Sequence, residues 1–172
     1  IVDFKEDEVY RSDWKVIHET TDLEIVESFR IEGLKPYTWY QLRVIKENIM
    51  GRSAPSRPTR RFQTLQAAPR GAPENVIISA INATALRVTW TPLPDEHWNG
   101  NPAGYKLLYY PDVKHTAATD HILIIRDPNV NTVVLYYLEE FTQYNVKMSA
   151  FNDFGASNFQ FVGSQFTMES TN

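Results

Sequence analysis

Apolar and polar positions alternate along most of the chain, and two stretches repeat that alternation in the same frame. Leu34 to Ser53 and Leu138 to Ser157 stand 104 residues apart and share six of twenty positions: Leu34/Leu138, Thr38/Thr142, Tyr40/Tyr144, Asn48/Asn152, Gly51/Gly155 and Ser53/Ser157. After Tyr40, Leu42 and Val44 alternate with Gln41 and Arg43; after Tyr144, Val146 and Met148 alternate with Asn145 and Lys147. This is the period of a strand with one buried face. The interval from Leu to Tyr suits a corner where the chain crosses between two sheets. A Tyr at the start of the next strand can bury its ring and return its hydroxyl to the corner backbone. Asn followed by Gly three positions on predicts a turn with positive φ.

The same patterning predicts strands elsewhere: Val2 and Phe4 in IVDF, Trp14 to His18, Glu24 to Ile31, Phe62 to Leu65, Asn75 to Ser79, Ala85 to Trp90, Gly104 to Tyr109, His121 to Arg126, Asn131 to Tyr137, and a last one carrying Phe159, Phe161, Phe166 and Met168. Leu86, Val88 and Trp90 share one face. Gln66 to Pro73, QAAPRGAP, reads as a short, semi-stiff connector and gives the boundaries: a first domain over 1–66, a linker over 67–73 and a second domain over 74–172, with limited bending between the two.

The repeat length matches an immunoglobulin-like sandwich, and composition narrows the class. The chain has no cysteine, which removes disulfide-bridged immunoglobulin domains, thiolate metal sites and cysteine nucleophiles. A net charge of −4 gives no electrostatic case for nucleic acid or anionic membrane. No apolar run reaches the roughly 18 residues of a membrane span, and the sequence opens at Ile1 in strand-like residues rather than in a basic, apolar leader. The chain is therefore expected to be a piece of a larger protein that neither inserts in a membrane nor carries a signal peptide.

The motif Leu34-x-Pro36-x-Thr38-x-Tyr40, followed by Val44, Asn48, Gly51 and Ser53, resembles the fibronectin type III family; Glu140 and Met148 stand where the second copy departs from it. The resemblance implies an all-β fold of tandem fibronectin type III sandwiches. Aligned on it, IVDF corresponds to Lys106 through Tyr109, so the first domain opens at its third strand and lacks its first two. It makes Trp90 the expected core aromatic, and Tyr40 and Tyr144 the corner tyrosines. The run from Leu86 to Pro94, with Trp98 to Pro102 and Gly104-Tyr105, is similar to the type III arrays of neural adhesion receptors, sidekick-type molecules first and contactin- and L1-type molecules more loosely. Such a receptor is membrane-anchored; its outer immunoglobulin domains recognise protein partners in cis or trans, and its type III repeats set reach and orientation. A receptor tyrosine phosphatase or kinase, or a muscle scaffold inside the cell, is the alternative parent.

The residues offer little chemistry. His18, His97, His115 and His121 lack metal-ligand or general-base spacing, and His115 and His121, which flank a polar loop, read as solvated. No phosphate loop, dinucleotide motif or nucleophile elbow occurs. No catalytic, cofactor or metal site is expected. Asp95-Glu96-His97 beside Trp98 is the most site-like cluster, read first as a capped turn. Glu139-Glu140 sits on the corner with no acid partner. Arg52 to Arg61 carries four Arg and two Pro and reads as a solvated edge, with an acidic-glycan patch as the functional alternative. Asn82-Ala83-Thr84 is a glycosylation sequon in a predicted exposed turn, and it tilts the segment to the extracellular side.

Overall fold

The computed structural model describes residues 2–6, 13–20, 28–113 and 116–171. The chain divides into two compact units, Ile1–Gln66 and Ala67–Asn172. Both are all-β, and among the described residues no helix is long and apolar enough to cross a membrane.

In the first unit, β1 (Val2–Glu6), β2 (Lys15–His18) and β3 (Trp39–Val44) are followed by the small hairpin β4 (Glu47–Asn48) and β5 (Gly51–Arg52), and then by β6 (Phe62–Gln63). The sheet runs β2-β1-β3-β6 and is antiparallel throughout. Within β3, Tyr40 is buried while its neighbour Trp39 faces out. The hairpin turns at Gly51, whose φ of +134° is one a side chain would resist, and Asn48 Oδ1 caps the turn from the Met50 N–H at 2.9 Å. Of the expected strand over Glu24 to Ile31, residues 24–27 lie outside the described residues, and 28–31 belong to no sheet.

Residues 53–59 do not leave their edge open. Ser53, Ser56 and Thr59 each place an N–H on a carbonyl, of Lys46, Val44 and Leu42, at 2.8 to 2.9 Å. Their hydroxyls accept the N–H groups of those same three residues at 2.9 to 3.0 Å. Pro55 and Pro58 fall between these positions, where no N–H is needed. The segment is thus a three-residue-period edge closed by hydroxyls, rather than the unpaired edge expected.

The second unit holds β7 (Glu74–Asn82), β8 (Ala85–Thr91), β9 (Pro102–Pro111), β10 (His121–Ile125), β11 (Thr132–Leu135), β12 (Gln143–Asn152) and β13 (Gln160–Phe166). They form two antiparallel sheets, β11-β8-β7 and β10-β9-β12-β13. Strand alternation fills the space between them: Leu86, Val88 and Trp90 from β8, Tyr105 and Leu107 from β9, Leu135 from β11, and Tyr144, Val146, Met148 and Ala150 from β12 are all buried. Each such Leu, Val or Met contributes about 1.5–3 kcal/mol on leaving water. The β10-β9-β12-β13 sheet repeats the β2-β1-β3-β6 order of the first unit. Val2 opposes Val44 as Leu107 opposes Met148, and Phe4 opposes Leu42 as Tyr109 opposes Val146, which sets Val2 to Phe4 on Leu107 to Tyr109. β11 ends short of Tyr137, whose φ of +61° takes it out of the extended region.

Candidate functional site

The corners before β3 and β12 are built from the same hydrogen bonds. Tyr40 and Tyr144 are buried, and their hydroxyls accept the N–H groups of Lys35 (2.9 Å) and Glu139 (3.0 Å). Thr38 and Thr142 donate their N–H groups to the hydroxyls of Thr64 and Thr167, each at 3.0 Å. Those hydroxyls donate in turn to the carbonyls of Lys35 (2.6 Å) and Glu139 (2.7 Å). Glu139 and Glu140 therefore serve the corner through their backbones, with their side chains exposed. Thr64 and Thr167 escape the sequence reading because they are 103 apart, one short of the constant offset; the matching triplets Gln63-Thr-Leu and Phe166-Thr-Met carry the signal.

Trp90 lies in the core edge-on to Tyr105, with centroids 5.4 Å apart, and its buried Nε1 makes no hydrogen bond among the described residues. The Tyr105 hydroxyl accepts from the Leu93 N–H (3.1 Å) and donates to the Pro128 carbonyl (3.3 Å). Burial raises its pKa above the ordinary tyrosine value, and the Leu93 bond pulls part of the way back.

Asp95 to His97 form a 3₁₀ turn with no side-chain cap, contrary to the capped turn expected; backbone bonds from His97 to Pro94 and from Trp98 to Asp95 close it. Trp98 belongs to the core, donating Nε1 to the Leu93 carbonyl at 3.2 Å, so the cluster separates into exposed acids and a buried indole. His18 stacks on Phe29 and His121 on Tyr109, His97 is half-buried, and His115 lies outside the described residues. Among the described residues, no three His, Asp or Glu side chains come together as a metal site. In the Arg-rich segment, Arg52 pairs with Glu47 (3.5 Å) and Glu19 (3.8 Å), Arg61 lies over the Trp39 ring, and Arg57 and Arg60 are exposed.

Asn152 carries more than the repeat implies. Its Oδ1 accepts from the Phe154 and Gly155 N–H groups, at 2.9 and 3.0 Å. Gly155 does not adopt the positive φ expected of it; its N–H meets the Asn152 side chain, whereas Gly51 in the equivalent turn keeps a φ of +134°. Its Nδ2 donates to the carbonyls of Ala67 (2.7 Å) and Trp98 (2.8 Å). Backbone bonds from Ala67 to Asn99 and from Arg70 to His97, with Asn99 Nδ2 on the Ala68 carbonyl, complete the attachment of residues 67–70 to the second unit.

Asn82 ends β7 in an exposed turn. Its Oδ1 accepts from the Thr84 N–H (2.8 Å) and the Thr84 hydroxyl (3.4 Å), which leaves Nδ2 without a partner among the described residues. Its carbonyl accepts from the Met168 N–H (3.2 Å), and the Thr84 carbonyl from the Leu138 N–H (3.0 Å), so the sequon lies against the corner of β12.

Two sheets in these orders, closed by a tyrosine corner around a buried Trp, define a class that the comparisons identify. The family model for the fibronectin type III domain matches residues 71–162, more than half of the chain, and the chain belongs to that family. It is 42% identical over 147 residues, 84% of its length, to Protein sidekick of Drosophila melanogaster, and 37% identical over 146 residues, again 84%, to Protein sidekick-2 of Gallus gallus. It spans 7% of the length of each of these relatives. Among solved structures it resembles the chicken CNTN1 FN1–FN3 domains with a TM-score of 0.73 and 28% identity, covering 98% of this chain and 56% of that one.

Proposed function

We propose that the chain is a non-catalytic extracellular segment of a single-pass, cell-surface adhesion receptor, and that it spaces and orients recognition domains carried elsewhere in the parent protein. The observation that carries this reading is the likeness to the sidekick proteins, which extends over 84% of the chain. The geometry supports it: the polar residues that recur in the two copies, from Thr38 and Thr142 to Asn48 and Asn152, serve the backbone of corners and turns. Residues 67–70 are bonded into the second unit, which begins at Ala67. Adhesion partners in cis or trans are proteins that meet other domains of the receptor.

Two experiments test the reading. In secreting animal cells, the chain leaves the cell with a mass that includes a glycan at Asn82, and the increment vanishes in Asn82→Gln. In the parent receptor, replacing this segment by an unrelated type III pair of equal length preserves cell aggregation, whereas deleting it impairs aggregation. Loss of aggregation on the equal-length swap would make the segment a recognition surface instead.

A further inference from the structure

We propose that Tyr137, Phe141 and Met168 form a platform on which the first sugars of an Asn82-linked glycan lie. The proposal rests on the extracellular reading above, and it assigns a role to Tyr137, the most exposed aromatic side chain among the described residues of the second unit. Met168 donates its N–H to the Asn82 carbonyl, Phe141 donates in turn to the Met168 carbonyl, and Tyr137 precedes Leu138, whose N–H meets the Thr84 carbonyl, so Met168 adjoins the sequon directly and the two aromatics stand one residue further out. Tyr137 is 99% exposed, Phe141 63% and Met168 47%, and the Phe141 ring packs on Phe166 with centroids 5.8 Å apart. The Thr84 bonds to Asn82 Oδ1 hold the side-chain amide in one orientation and leave Nδ2, the atom a glycan would occupy, in solvent.

Backbone geometry adds an independent reason. Tyr137 takes a φ of +61°, a region disfavoured for side-chain-bearing residues, whereas the +42° of Phe141 recurs as the +49° of Tyr37 and belongs to the corner. At the position 104 residues earlier, the first unit places Gly33, with φ +81°, where the second places Tyr137. The corner thus accepts glycine there, and the Tyr137 ring serves something other than the turn. A pyranose offers an apolar C–H face to an aromatic face, and a covalent tether holds it at an effective concentration of about millimolar or above. A weak contact then suffices, with no large interface of the kind a free protein partner requires.

The test uses the secreted 172-residue chain in three forms: fully glycosylated, trimmed enzymatically to the single sugar on Asn82, and Asn82→Gln. The expected result is that the second unit of the trimmed form melts about 3 °C or more above Asn82→Gln, and that protons of the retained sugar show upfield ring-current shifts in NMR. Both effects shrink in Tyr137→Gly, which suits the backbone at that position, and in Phe141→Asn. An occupied Asn82 whose sugar resonates as in free solution and leaves the melting temperature unchanged overturns the platform while leaving the extracellular reading intact. An unoccupied Asn82 overturns the platform and leaves the extracellular reading resting on the sidekick likeness alone. A dimer of Asn82→Gln in sedimentation that Phe141→Asn dissolves would give the surface to a second copy of the chain and overturn the platform as well.

Discussion

Asn152 is 5% exposed and meets four partners at once, two N–H groups and two carbonyls, from three separate parts of the second unit. Asn152→Ala is expected to lower the stability of that unit by about 3 kcal/mol, since two bonds to each end of the amide disappear and buried groups lose their partners. Asn152→Asp should be worse at neutral pH, because a carboxylate would face the carbonyls of Ala67 and Trp98, and should improve as acid protonates it; urea midpoints at two pH values read both effects. Sequence made Asn152 legible as a turn residue, since it recurs as Asn48. Its two long-range bonds were not legible, because nothing local to a residue announces a partner 85 positions away. A second prediction concerns Tyr105 and Tyr109, whose pKa values burial raises, with the Tyr144 hydroxyl adding to the effect on Tyr109. The unfolded chain loses these protons at a lower pH than the folded one does. Their contribution to stability is therefore whole below pH ~10 and is lost as pH climbs through the folded values. Alkaline unfolding monitored by tyrosinate absorbance should show it, and Tyr109→Phe should flatten it.

At the scale of elements, period-two alternation announced all seven strands of the second unit but not their ends. β11 stops where Tyr137 turns left-handed, and β7 runs to Asn82, past the expected Ser79. The edge over 53–59 shows why composition misleads: its two prolines argue against pairing, yet the hydroxyls of Ser53, Ser56 and Thr59 supply acceptors at the positions between them. The connector is a comparable case. Gln66 to Pro73 has the composition of a linker, but its backbone groups at Ala67 and Arg70 donate to the carbonyls of Asn99 and His97. Hydrogen exchange should therefore find the Ala67 and Arg70 amides protected to the level of the second unit, and Asn152→Ala should expose Ala67 before it exposes the amides of β12. Fast exchange at Ala67 and Arg70 in the unmutated chain would show that these bonds are too weak to hold the connector.

At the scale of the whole chain, the two units share a corner and differ in what lies beneath it. Over residues 13–20 and 28–66 of the first unit, Tyr40 is the one buried apolar side chain, while the second unit buries an indole pair, Trp90 and Trp98, with Leu86, Leu107, Leu135 and Met148 around it. Since burial of apolar area is the main favourable contribution to folding, the first unit of this chain should melt at the lower temperature. The duplicated corner supplies a way to assign the transitions. Tyr40→Phe and Tyr144→Phe each delete one hydroxyl bond to a corner N–H and keep the ring, a loss of about 1 kcal/mol apiece, or about 4–8 °C for units of this size. Calorimetry should show Tyr40→Phe moving the earlier transition and Tyr144→Phe the later one. If Tyr40→Phe moved the later transition instead, stability would not follow the unequal cores, and the corner rather than the buried area would set the order of melting.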